Sequence, residues 1–325
     1  MDATLRRLVA ACFLNQLGFQ SVYFVGIIGC ATYVLDAGAA EVSALVFVMN
    51  VVMLVGYSAA GALIDAVGPR IVLVASLALP FAAAAVVLAM PVCMASLLVV
   101  AIVMGLAGAA ASTAVETFPR YLTNDEVLLA RVADGVRATV ANPALIVLFS
   151  VCFLGNLGFG AFDSLESLFY RDVLRVGAEW MGWLTAIVGV GATVGSLLAG
   201  RVPTRRVTLP VLCGLLVAEG LGAVLYTATP LVWCAAAGQL VLGAANGMIM
   251  PLRVTLTQRN CELGHLGSVS ALMRVGISVS GTLPLLAAPV LADAFGVQAV
   301  LISAAALVAL TGAALAAAAR RVRAS

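Results

Sequence analysis

Residues 56–73 read GYSAAGALIDAVGPRIVL and join two long apolar runs through a short turn that carries an acid, Asp65, and a base, Arg70. Only 10% of the chain is charged, so an acid and a base flanked by glycines between two membrane-length runs demand a reason. Gly56 and Gly61 fall near the end of the first run, where the lack of a side chain lets another helix approach closely. Gly68 and Pro69 break that helix, and Arg70 restarts the chain at a membrane surface. Spacing alone leaves two readings open: a plain cytoplasmic turn whose arginine sets topology, or a loop with a working role.

The composition decides the class. A hydrophobic fraction of 63% and a mean hydropathy of +1.15 exclude a soluble globular domain, whose apolar fraction is about 45–50%. The chain reads as an all-α polytopic membrane protein. Its net charge of +2 gives no reason to expect nucleic acid, since in such a chain the position of the bases matters more than their sum. Residues 8–34 form an apolar run too long for the roughly 7–15 residues of a signal-peptide core, and are read as the first span. Requiring about 20 apolar residues per span gives about ten spans: 8–34, 42–64, 71–90, 93–117, 144–170, 180–200, 207–228, 231–252, 268–291 and 295–319. Breaks fall at Met90-Pro91 and Thr229-Pro230.

All the bases are arginine, and they fix an orientation. With both termini on the cytoplasmic side, the cytoplasmic ends collect Arg6, Arg7, Arg70, Arg120, Arg131, Arg137, Arg201, Arg205, Arg206, Arg253, Arg259, Arg320, Arg321 and Arg323. Only Arg171 and Arg175 then fall outside, and Arg274 lies within a span. The chain also repeats itself. Residues 12–19 read CFLNQLGF and residues 152–159 read CFLGNLGF, and at about the same offset Gly56 and Gly61 are echoed by Gly195 and Gly200. Two parallel helical bundles are therefore expected: residues 1–117 with about four spans, a linker at 118–143, and residues 144–325 with about six. In the linker Thr123 and Glu126 have capping-box spacing, and Leu128, Val132, Val136 and Val140 recur at helical spacing. An amphipathic helix on the cytoplasmic surface is expected there.

Gly61, Leu63, Asp65, Gly68, Arg70 and Leu73 resemble the loop signature between the second and third helices of the major facilitator superfamily. The likeness covers nearly the whole chain, and its nearest form is the bacterial branch that includes siderophore and macrolide exporters. The resemblance implies proton-coupled export of a small organic molecule by alternating access, in a multi-pass protein of the plasma (inner) membrane. In the family the acid of this loop faces the N-terminal dipole of the eleventh helix, which implies a gating role for Gly61, Asp65, Gly68, Arg70 and, in the ninth span here, Arg274. The chain departs from the family in several places. Ala66 and Pro69 stand where bases are usual, no arginine lies near Gly105, and the fifth and sixth helices are missing, since residues 116–143 (ETFPRYLTNDEVLLARVADGVRATVANP) pass from the run-in of the fifth to that of the seventh. Loss of an even number of spans keeps every later helix in its proper direction.

Polar groups inside apolar spans mark a pathway or a binding site. Asn15, Gln16 and Gln20 in the first span, Asn50 in the second, Asn156 and Asp163 in the fifth, and Gln239 and Asn246 in the eighth are the candidate substrate contacts. Helix-to-helix hydrogen bonding is the plain alternative for each amide. Asp163, Glu166 and Glu219 are the candidate proton carriers, although the helix of Glu219 corresponds to a peripheral one in the family. The seven cysteines have no paired metal spacing and His265 is the only histidine. No catalytic constellation, cofactor or metal is expected, and the chain does not read as an enzyme. The expected partners are a small-molecule substrate and the lipid bilayer. Gly191 and Gly195, with Ala192 and Ser196 beside them, form a small-residue face that lacks its usual fifth-helix partner. That face is expected to meet lipid, the fourth span, or a second copy in a homodimer. The rival function is a non-transporting, decayed transporter that acts as a membrane interaction partner.

Overall fold

The computed structural model describes residues 19–89, 91–117 and 128–324, and divides into two compact units, residues 1–124 and 125–325. The described residues form helices and short turns, with no strand among them. In the first unit a π-wound segment, α1 (Val22–Val34), is followed by α2 (Ala39–Val67), α3 (Pro69–Ala89) and α4 (Met94–Thr117). Glu41 caps α2 by accepting the Gly38 N–H at 2.9 Å. Gly68 ends it with φ 87° and ψ 152°, a conformation that a residue with a Cβ enters only under strain. Asp65 thus falls in the last turn of α2 and Arg70 in the first turn of α3. Helix α4 packs on both α2 and α3, with Gly105 set directly over the Met49 carbonyl of α2.

The second unit holds α5 (Leu128–Ala141), α6 (Pro143–Phe159), α7 (Phe162–Leu168) with a π-wound extension at Phe169–Leu174, α8 (Glu179–Arg201), α9 (Leu209–Thr227), α10 (Val232–Asn260), α11 (Leu266–Phe295) and α12 (Val297–Ala324). Asn142 starts α6 by accepting the Ala144 N–H, and its own amide donates to the Asn260 carbonyl at 2.7 Å, tying that start to the end of α10. Among the described residues, eight helical stretches are long and apolar enough to cross a membrane. Six of them are in this unit: Pro143–Leu174, α8, α9, α10, α11 and Val297–Arg321. In the first unit Ala39–Tyr57 and Met94–Thr113 qualify, whereas the apolar runs Phe19–Val34 and Val74–Ala85 are shorter. The chain is an all-α polytopic membrane protein.

One expectation changes. The small-residue face of α8 does not lack a partner: it packs on α10 of its own unit. Gly191 and Gly195 lie against the Leu240 and Ala244 carbonyls, while Gly243 and Gly247 of α10 lie against those of Val188 and Ala192. Ser196 Oγ adds a hydrogen bond to the Gly247 carbonyl at 3.1 Å. A matching Gly-x-x-x-Gly pair on α10 lets the two backbones touch, so neither the fourth span nor a second copy is needed to cover this face. The linker forms the expected helix, α5. It docks on α11 through Gly135, which lies against the Ser268 carbonyl, and leaves Val136 (43%) and Val140 (68%) exposed.

Gly195→Leu drives a side chain into the Ala244 backbone and is expected to cost at least about 1–3 kcal/mol. Gly189→Leu in the same helix enters open space and is expected to be neutral. Thermal unfolding in detergent compares the two; equal melting would refute close α8–α10 contact.

Candidate functional site

The polar groups of the second unit collect at two levels. The first lies toward the end that carries Arg171 and Arg175. The chain bends between α6 and α7 at Gly160 and Ala161, where Gly160 packs on Gly281 and Pro284 of α11. Beyond the bend Glu166 meets α9 and α10. Its Oε1 accepts three hydrogen bonds: from Tyr226 Oη at 2.8 Å, from Tyr170 Oη at 2.9 Å and from Gln239 Nε2 at 2.9 Å. The phenols are buried among aromatic rings, Tyr226 against Phe169 edge-on at 5.4 Å between centroids and against Phe162 at 6.1 Å. Hydrogen bonds to an ionised group are worth about 1.5–3 kcal/mol each. Such convergence therefore holds α7, α9 and α10 together. Asp163 stands one turn before Glu166 on α7, half-buried.

The second level is at mid-depth. Glu219 occupies the middle of the 19-residue α9 and is 5% exposed. Its Oε1 accepts one hydrogen bond, from Asn246 Nδ2 at 2.9 Å. Beside this pair is a cavity of about 190 Å³ walled by α6, α9, α10 and α11, with Cys152, Asn156, Glu219, Asn246 and Arg253 on its lining. Arg253 Nη1 approaches Cys152 Sγ at 3.6 Å, and Asn156 Nδ2 donates to the Cys152 carbonyl at 3.3 Å. The remaining lining is apolar, including Leu216, Ile249 and Ile277. The arrangement offers a solute a cation, a carboxyl and two carboxamides within one small chamber.

Protein-family models and curated proteins were both searched, and neither search finds a match. The assignment of a site therefore rests on geometry.

Of the sequence-derived candidates, Glu166 and Gln239 meet at the first level, and Asn156, Glu219 and Asn246 meet at the cavity. Glu219, placed on a peripheral helix by resemblance, is thus turned inward onto α10. Gln20 and Asn50 are half-buried in the first unit, Arg274 is half-buried in α11, and Asn15 and Gln16 lie outside the described residues. Sequence reading passed over Tyr170, Tyr226, Cys152 and Arg253. Tyr170 is four residues after Glu166 and was recoverable from helical spacing. Tyr226 gave no local signal, since its partner is 60 residues away. Arg253 was counted as a topology-setting base and Cys152 as a small hydrophobe, and only the folded chain puts them together. Among the described residues no three His, Cys, Asp or Glu side chains converge as a metal would require.

Glu166→Leu removes the shared acceptor of three donors, of which Gln239 Nε2 keeps only a longer bond to Tyr170 Oη at 3.4 Å, and is expected to cost about 3 kcal/mol or more. Glu166→Gln keeps an acceptor oxygen and is expected to lose less than half of that. Unfolding free energies measured in mixed micelles check the ratio; equal losses would show that charge matters and acceptor geometry does not.

Proposed function

We propose that this chain is a membrane transporter of the major facilitator type, which moves a small organic solute across the plasma membrane by alternating access, as an exporter coupled to protons. The observation that carries the reading is the mid-depth cavity beside Glu219. A buried carboxyl is costly unless it is well paired, and Glu219 has a single neutral donor. It borders a cavity that also takes in an arginine and two carboxamides, an arrangement that suits solute binding better than packing. The resemblance of residues 56–73 adds the superfamily, and the arginine distribution adds an orientation with both termini inside.

In this reading Asn156, Asn246 and Glu219 contact the substrate, and Asp65, Gly68 and Arg70 act in gating at the cytoplasmic rim. Among the three acids named as proton carriers, Glu219 is favoured: Glu166 is held by three donors on one oxygen, while Glu219 has one donor and faces the cavity. The cavity is smaller than the roughly 300–1,000 Å³ of pockets for drug-sized ligands, which favours a small solute over a bulky drug.

Reconstitution into liposomes with an imposed proton gradient tests this. Glu219→Gln is expected to exchange substrate across the bilayer yet fail to concentrate it, with Asp163→Asn retaining gradient-driven transport. Full accumulation by Glu219→Gln would remove this acid from the coupling step, and an absence of protein-dependent flux for any small solute in the wild type would end the transporter reading.

A further inference from the structure

The cavity has a charge pattern that defines a substrate class, an inference that rests on the transport reading. Arg253 and Glu219 both line it, yet they make no ion pair with each other or with any other described residue; the ion pairs seen join Arg137 to Asp134 and Arg171 to Asp172. A guanidinium stays charged under all ordinary conditions, and the contact that Arg253 makes is with a thiol sulfur at 3.6 Å, a weak substitute for a carboxylate. Glu219, for its part, has a single neutral donor. Here a half-buried guanidinium and a buried carboxyl face one cavity, neither with a partner of opposite charge. Asn246, which holds Glu219, and Arg253 are seven residues apart on α10, about 10 Å along the axis.

We infer that the cavity takes a small zwitterion of the α-amino-acid type, its carboxylate on the Arg253 guanidinium and its ammonium on the Glu219 carboxyl. Such a molecule gives each protein charge its missing partner in one step. An anion would satisfy Arg253 alone and a cation Glu219 alone. A guanidinium reads a carboxylate through paired N–H donors, and Asn156 supplies a further polar contact on the wall between the two heads. The volume of about 190 Å³ limits the side chain to a short one.

The test uses the full chain in lipid nanodiscs and calorimetric titration with glycine, L-alanine, L-serine and L-leucine, each also as its methyl ester and as its N-acetyl derivative. At least one free amino acid is expected to bind saturably, and its ester and its N-acetyl form each at least ten-fold more weakly. Arg253→Gln should bind free acid and ester alike, and Glu219→Gln should bind free amine and N-acetyl forms alike. Because the modified ligands act on the wild type, the test stands even where a variant folds poorly. Failure of all four amino acids to bind, or equal binding of their derivatives, overturns the proposal. If propionate or ethylamine binds instead and Asn246→Trp abolishes it, the cavity remains a substrate site and only the zwitterion is wrong. If an amino acid binds but Asn246→Trp leaves its affinity unchanged, the site is elsewhere and both readings fall.

Discussion

The second unit depends on α10 lying in backbone contact with α8 and α9. In lipid the hydrophobic effect does not drive helices together, so association relies on close packing and hydrogen bonds. Gly191 and Gly195 of α8 against Gly243 and Gly247 of α10 provide the first contact, and Gly222 of α9 against Gly238 of α10 the second. That approach lets short side chains meet across the helices. Gln239 is one residue after Gly238, and Asn246 one residue before Gly247. With α10 held further out, neither amide would reach Glu166 or Glu219.

The two polar levels built on this frame differ in kind. At one end Glu166 receives three donors on one oxygen, two of them from phenols buried among aromatic rings. At mid-depth Glu219 receives one donor and borders a void that also takes in an arginine without a carboxylate partner. The first level gathers donors from three helical segments onto one oxygen and behaves as a clamp. The second leaves bonding capacity unused on the wall of an open chamber, which in the proposed reading is where a solute binds. Carboxyls of the same type, one on α7 and one on α9, are thus separated in role by their surroundings alone.

Much of the frame was legible from local sequence. Gly68 and Pro69 announced the α2–α3 turn because a helix cannot pass through that pair unbroken, and Gly68 adopts a positive φ there. Thr229-Pro230 marked the turn between α9 and α10 for a similar reason. Asn156, Glu219 and Asn246 stood out as polar residues in apolar runs, and they meet at one cavity. What could not be read was pairing at long range. The small-residue face of α8 is visible in the sequence, but its complement on α10 is some 50 residues further along, and no local pattern joins the two. Arg253 was hidden by its own type: near the end of a span, an arginine is counted toward topology, and nothing in the local sequence says that its side chain turns to Cys152.

The central claim is that a polar, water-reachable chamber exists at mid-depth in this unit. Its most direct test is thiol labelling in membranes, with the seven native cysteines replaced and single cysteines introduced by Asn156→Cys, on the cavity wall, and by Val194→Cys, on the exposed apolar face of α8. A small membrane-impermeant reagent, supplied to both sides, is expected to modify the Asn156→Cys protein at least ten-fold faster than the Val194→Cys protein, and the filling substitution Asn246→Trp is expected to abolish that difference. Equal, slow labelling at both positions would mean that water does not reach the cavity, and the account of a transport site there would be wrong.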